Sequence, residues 1–304
     1  MNISREKNGK GTAEVTVFTR AAGHRDPEIA NPDFLAERLL NIRYKLLLSP
    51  GLRQLSLRYY EHKVPGMYLY HQARTVFLDK LFLAAARSVR QIVILGAGFD
   101  TRPYRFAERL RGLRIFEVDH PGTAEWKRQR LHRLGTYTGH VTYVKTDFNS
   151  DSLEACLYEN NYDPEATTFF LWEGVTMYLP VESVSQTLSF ISEAPPGSSV
   201  AFDYIYASSL DRPRDFTGAE PYYRIVAHRN EPCLFGIDPE DVGPFLNKYD
   251  LSILSNIGPR ELFKLVPPRA LCDFLGIVHA GRNGTGRPRE FTTNADDLPS
   301  NWNE

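Results

Sequence analysis

The chain has 304 residues, 42% of them hydrophobic and 24% charged, a globular balance with enough length to bury a large core without a staple. With 36 Lys and Arg against 37 Asp and Glu, the formal charge is -1; no basic field exists to gather phosphate backbones, which argues against nucleic acid as a partner. Cys156, Cys233 and Cys272 lie far apart with no CxxC pair, which argues against a disulfide framework and a cysteine zinc site, so no metal is expected.

Residues 1–11 are polar and lack the apolar run of a secretory signal. No segment nears the ~20 apolar residues of a membrane helix. A cytoplasmic protein without a membrane partner is therefore expected, with residues 1–11 and 282–304 as polar, mobile tails. Residues 12–90 read as a helical cap. Asn31 can cap a helix, Pro32 suits its first position, and Phe34, Leu35, Leu39, Ile42 and Leu46 recur on one face until Pro50-Gly51 stops it. A second helix is expected from about Ala73 to Val89, with Phe77, Leu78, Leu81, Phe82 and Ala85 as its apolar stripe.

At Gln91 the texture changes. Short apolar runs at 91–95, 114–118, 141–145, 167–172 and 199–205 alternate with amphipathic segments, the signature of βαβ units around a parallel sheet buried on both faces. Pro180-Val181 opens one of the intervening helices, with Leu188 and Ile191 on its apolar side, and Asp238-Pro239 opens another. The runs at 251–256 and 274–280 add two late strands at one sheet edge, so the core, residues 91–281, is α/β with a seven-stranded, mostly parallel sheet. Residues 206–236 break the rhythm. Rich in Pro and Tyr, this insertion after the fifth strand is expected to be a lid.

The most informative stretch is VILGAGFDTRPYR, residues 93–105. A strand runs into Gly96-Ala97-Gly98, where glycines permit a sharp turn and let bare backbone approach a ligand at the strands' carboxyl ends. The third glycine of a dinucleotide fingerprint is replaced by Thr101, beside Asp100. A carboxylate would repel a pyrophosphate, which disfavours NAD and leaves a dehydrogenase a distant alternative; a ligand with a cationic amino-acid end, such as S-adenosylmethionine, tolerates it. Asp119 ends the second strand 23 residues after Gly96, where an acid grips ribose hydroxyls in such folds.

The turn LGAGFDTRPYR, the strand end FEVDHP, KTDF at 145–148 and FFLWEGVTMYLP at 169–180 resemble the leucine carboxyl methyltransferase superfamily, most closely its bacterial branch of S-adenosylmethionine-dependent O-methyltransferases, which includes enzymes of polyketide and other secondary metabolism. Residues 12–40 and 73–82 resemble its helical N-terminal signature, and the likeness spans about 12–280. It implies a class I methyltransferase Rossmann-like fold with S-adenosyl-L-methionine as cofactor. By the same resemblance, Arg74 salt-bridges the methionine carboxylate, Gly96, Ala97 and Gly98 form the turn beneath the cofactor, and Asp119 takes the ribose. His120 stands at the cofactor rim, Asp147 and Phe148 flank adenine, and Glu173 lies near the methionine moiety. Glu173 follows an apolar run and would be costly to bury unpartnered; its alternative role is a structural pair with an arginine. The lysine that the family's first helix often supplies has no match among Arg38, Arg43 and Lys45.

Methyl transfer is a displacement in which the protein aligns the acceptor and excludes water. A carboxylate acceptor is already anionic at neutral pH and needs no base, whereas a phenol or alcohol wants one. The expected activity is O-methylation of a small-molecule carboxylate, with Tyr204 and Tyr223 as the foremost candidates for positioning it, Tyr206, Tyr222 and Arg224 as further ones, and the lid setting its identity. Hydroxyl or phenol O-methylation and non-catalytic cofactor binding stay open. So does oligomeric state, a homodimer included.

Overall fold

A computed structural model describes residues 10–29, 31–148, 151–267 and 272–282. The expected tails lie outside the described residues, except Lys10 and Gly11, which are helical, and Arg282, which ends a strand.

The N-terminal cap begins with α1 (Lys10–His24), α2 (Ala36–Leu39), α3 (Ile42–Leu47), α4 (Arg53–Lys63) and α5 (Met67–Ala85). The single helix expected between Pro32 and Pro50 is corrected to two short ones. Leu40 is extended, and Asn41 starts α3 by accepting a hydrogen bond from the Tyr44 N–H at 3.2 Å. Asn31 does not cap a helix end: its buried amide donates to Gln72 Oε1 at 2.7 Å. The anticipated stripe is broken accordingly, with Ile42 69% and Leu46 59% exposed. The second expected helix is α5, which starts six residues before Ala73. It lies between α1 and the sheet, so nearly its whole circumference is buried and residues of all chemistries occupy it.

The core follows as β1 (Gln91–Leu95), α6 (Arg102–Arg105), β2 (Arg114–Asp119), α7 (Pro121–Arg133), β3 (Val141–Lys145), α8 (Leu153–Glu159), β4 (Thr168–Trp172), α9 (Val181–Glu193) and β5 (Ser199–Ile205). The remaining elements are α10 (Ala207–Asp211), α11 (Ala219–His228), α12 (Val242–Asn247), β6 (Leu251–Ile257), α13 (Pro259–Leu262) and β7 (Leu275–Arg282). The sheet has seven strands in the order β3-β2-β1-β4-β5-β7-β6. Strands β1 to β5 are parallel, while β7 runs antiparallel between β5 and β6. Pleating sends alternate residues to opposite faces. Ile92, Ile94, Phe169, Leu171 and Ile205 pack on the α1 and α5 side; Val93, Leu95, Phe170, Trp172 and Phe202 pack on the α9 and α12 side.

The insertion at 206–236 is not an irregular loop but carries α10 and α11, and the helix expected at Asp238-Pro239 starts at Val242. Among the described residues no helix is long and apolar enough to cross a membrane. The three cysteines are free.

Candidate functional site

Parallel strands point their carboxyl ends the same way, so residues that follow β3, β2, β1 and β4 line up along one rim of the sheet in that order. The rim therefore reads Asp147 and Phe148, then Asp119, then Gly96 to Gly98, then Glu173. The strand order reverses between β1 and β4, where open α/β sheets bind ligands.

The glycine turn has a steric cause. Gly96 takes φ +62°, and a Cβ there would stand 2.4 Å from Val175 Cγ2; Gly98 takes φ +44°. Both lie in the left-handed region that side chains rarely adopt. Asp119 braces the turn: Oδ2 accepts from the Gly98 N–H at 2.5 Å and Oδ1 from the His120 N–H at 2.6 Å. Burial pushes the Asp119 carboxyl up, against the opposing pull of those two N–H groups.

Behind the turn is a buried charge network. Arg74 meets Asp203 Oδ2 at 2.5 Å and Glu173 Oε1 at 3.0 Å. Arg102 meets Asp79 at 2.6 Å, Asp100 at 2.6 Å and Glu173 Oε2 at 2.7 Å. Arg105 joins Asp79 to Asp33, and Arg20 of α1 closes on Asp33 at 3.2 Å. Four arginines thus face five acids, a formal charge of one negative. Burial opposes the charge of Glu173, but Arg102, Arg74 and Arg20 outweigh it and hold its carboxyl well below the usual range. Glu173 therefore has the arginine partners that its alternative role called for. Asp100, expected to meet a ligand as a bare acid, is paired with Arg102.

A cavity of about 1150 Å³ opens over this rim, larger than the roughly 300–1,000 Å³ of most single-ligand pockets. Arg74, Gly96, Ala97, Gly98, Asp119, His120, Asp147, Phe148 and Glu173 all line it. Thr146 also lines it, and its buried Oγ1 has no hydrogen-bond partner among the described residues. The far wall is apolar and aromatic, built from Phe18, Leu52, Leu55, Tyr60, Tyr178 and Tyr222.

Tyr204 and Tyr223 do not line this cavity, which corrects both as acceptor-positioning candidates. Tyr204 has the wrong parity on β5: Asp203 points toward Arg74, so its neighbour faces the other side, where its hydroxyl donates to Asn256 Oδ1 at 2.8 Å. Tyr223 is one step around α11 from the wall, and its hydroxyl is held by Ser209 Oγ at 2.5 Å. Tyr222 supplies the wall instead, with its hydroxyl 2.7 Å from that of Tyr178. Burial pushes both phenols up, so they stay protonated.

Sequence reasoning missed several further residues. Asp203 interrupts the apolar run SVAFDYI as Glu173 follows its own, and the same cost of burial would have marked it. His71 lines the cavity at 7% exposure. Burial and the adjacent Arg74 hold its imidazole well below the ordinary histidine range, hence neutral. The Thr19 hydroxyl gives its one proton to Thr16 O at 2.8 Å, so Nδ1–H of His71 donates to Thr19 Oγ1 at 2.9 Å and Nε2 keeps a lone pair. Among the described residues no group of three or more His, Cys, Asp or Glu side chains could hold a metal.

Known proteins fit this arrangement. The family model for leucine carboxyl methyltransferase matches residues 13–192. YktD of Bacillus subtilis (strain 168), which carries the provisional name of an S-adenosyl-L-methionine-dependent methyltransferase, is 30% identical over 189 residues, 62% of this chain and 60% of YktD. A protein of Mycolicibacterium smegmatis (strain ATCC 700084 / mc(2)155) with the same kind of provisional name is 41% identical over 138 residues, 44% of this chain and 45% of that one. The chain thus matches about three-fifths of the length of one relative and under half of the other. A crystal structure of a DUF574 family protein from Streptomyces avermitilis MA-4680 shares the fold, with a TM-score of 0.61 at 14% identity, covering 90% of this chain and 97% of that one. The architecture is thus the Rossmann-like α/β fold with a seven-stranded, mostly parallel sheet that the sequence led us to expect.

Proposed function

This chain belongs to the leucine carboxyl methyltransferase family, and from that membership we propose that it methylates an oxygen of a small molecule with S-adenosyl-L-methionine as donor. One observation carries the reading. A glycine turn at the end of β1 and the acids at the ends of the adjacent strands β3, β2 and β4 converge on a cavity backed by a buried cluster of one net negative charge. When bound, the donor supplies an electrophilic methyl group on a cationic sulfonium.

The residues fit that donor. Asp119 retains acceptor lone pairs for a ribose, while Asp147, Phe148 and the unpartnered Thr146 Oγ1 flank the place for adenine. The negative surplus around Glu173 suits a ligand whose ammonium and sulfonium outnumber its carboxylate, and Arg74 receives that carboxylate. The apolar wall excludes water from the transfer.

For the acceptor, the reading is a carboxylate, already ionised and in need of no base. Tyr178 and Tyr222 share one hydroxyl–hydroxyl bond, which leaves the pair a single proton to donate toward it. A second reading, a hydroxyl acceptor, is favoured by His71, whose neutral Nε2 can accept an O–H but not steady an anion.

The test incubates the protein with methyl-labelled donor and a metabolite extract, followed by mass spectrometry before and after mild alkali. Label on a small molecule supports the reading. Alkali-labile label identifies an ester, and stable label identifies an ether; an ether lost with His71→Gln assigns the hydroxyl reading. Label found only on protein overturns the small-molecule reading, and no label at all overturns methyl transfer.

A further inference from the structure

A second hollow of about 600 Å³ lies between α4 and α11 and has a different chemistry. Its walls carry His62, Lys63, Arg224, His228 and Arg229, and no acid. In a chain with a formal charge of -1, this is a local concentration of positive charge. Among the described residues, Lys63 and Arg224 have no acidic partner. His228 Nδ1 donates to the Arg224 carbonyl at 2.7 Å, which leaves Nε2 to the hollow's side of the ring or to solvent.

The hollow continues the large cavity. Lys63, Ile225 and Arg229 line both. On the cavity side of Lys63 the wall turns apolar, with Tyr59 64% and Leu55 65% exposed at the mouth. The Lys63 ammonium stands 5.5 Å from the Tyr59 ring, at the boundary between the two chemistries. The path therefore runs from the charged strand rim, past an aromatic and aliphatic wall, to a cluster of cations. A ligand complementary along all of it is polar at the reacting end, apolar in the middle and anionic at the far end. Lys63 and Arg224, in a hollow lined by no acid, fit a phosphoryl dianion better than one carboxylate.

We propose that the acceptor is amphipathic and that the hollow between α4 and α11 binds a phosphoryl group at the end of it remote from the methylated oxygen. This rests on the methyl-transfer reading above and adds the acceptor's class to it.

The test uses the full chain saturated with S-adenosylhomocysteine, titrated calorimetrically with octyl phosphate, octanol and inorganic phosphate, the octyl compounds below micelle formation. Octyl phosphate is expected to bind at least tenfold more tightly than octanol. Lys63→Ala with Arg224→Ala, both at exposed positions, abolishes that gap and leaves S-adenosylhomocysteine affinity unchanged. Leu55→Asp weakens both octyl ligands. Equal binding of octyl phosphate and octanol overturns the proposal, as does a gap that survives the double substitution. Inorganic phosphate binding as tightly as octyl phosphate also overturns it, because the hollow then holds a free anion rather than one end of an acceptor. If S-adenosylhomocysteine itself fails to bind, the methyl-transfer reading falls separately, and the octyl titrations are still read on the unliganded chain.

Discussion

The two walls of the large cavity are stabilised in opposite ways. Behind the strand-rim wall lies a lattice of buried ions in which Arg20, Arg74, Arg102 and Arg105 each touch at least one of Asp33, Asp79, Asp100, Glu173 and Asp203, and each of those acids touches at least one arginine. The wall from α4 and α11 is built largely from aromatic and aliphatic side chains, and Tyr222 of α11 bonds the Tyr178 hydroxyl at 2.7 Å. Ion pairs tolerate little change in geometry, whereas apolar contacts accept many shapes. The first wall therefore suits a ligand of fixed charge and shape, and the second a ligand of more variable shape.

Breaking the ion lattice has the largest expected effect. Arg102→Met leaves Asp100 without a cation and takes one of two arginines from Asp79 and from Glu173, a loss of about 3–5 kcal/mol for a buried charge left unpaired. Urea denaturation checks it, and wild-type stability would refute the framework role of this wall.

A pH comparison of two buried acids sharpens the same point. Glu173, with two arginine contacts, is held below its ordinary 4.5; its stabilisation is present above that value and is lost as pH falls through its folded pKa. Glu117 has one cation, Lys127 at 2.8 Å, and burial pushes it up to about 7. Its folded state holds the proton more tightly than the unfolded one, so its contribution is lost as pH rises from about 4.5 to about 7. Replacing the pair, Glu117→Gln with Lys127→Met, is expected to flatten that decline in the urea midpoint and to spare the acid limb.

Gly96→Ala is expected to cost about 1–3 kcal/mol from the left-handed backbone alone and to weaken S-adenosylhomocysteine binding in calorimetry. Adding Val175→Ala removes the 2.4 Å clash but not the φ of +62°, so recovery is partial; full recovery would make the contact, and not the backbone, the cause. The smallest effect separates Tyr222, on the opposite wall, from Tyr204, which lies off it. Tyr222→Phe raises the acceptor KM by about 0.5–1.5 kcal/mol, the worth of a neutral hydrogen bond. Tyr204→Phe leaves KM alone and lowers only stability.

Much of the rim was legible in the sequence because it depends on short-range rules. A parallel strand that ends in a glycine turn, and acids placed just past apolar runs, mark the carboxyl edge of a sheet without any tertiary information. Arg20, Asp79, Arg102 and Asp203 were not legible as site residues, since each looks like an ordinary charged residue until its partner, distant in the chain, is known. The far wall was legible only in part. Tyr204 and Tyr223 had the right chemistry, but strand parity at 204 and a single helical step at 223 turned them away, and α4 was not singled out at all.

Composition and local pattern thus determined the class of fold, the order of its strands along the chain and the turn on which a ligand rests, because periodicity and glycine conformation act within a few residues. Which side chains meet across the cavity was decided only in three dimensions. Such meetings depend on packing between segments distant in the chain, as the 129-residue separation of Arg74 and Asp203 illustrates, and no local rule carries that distance.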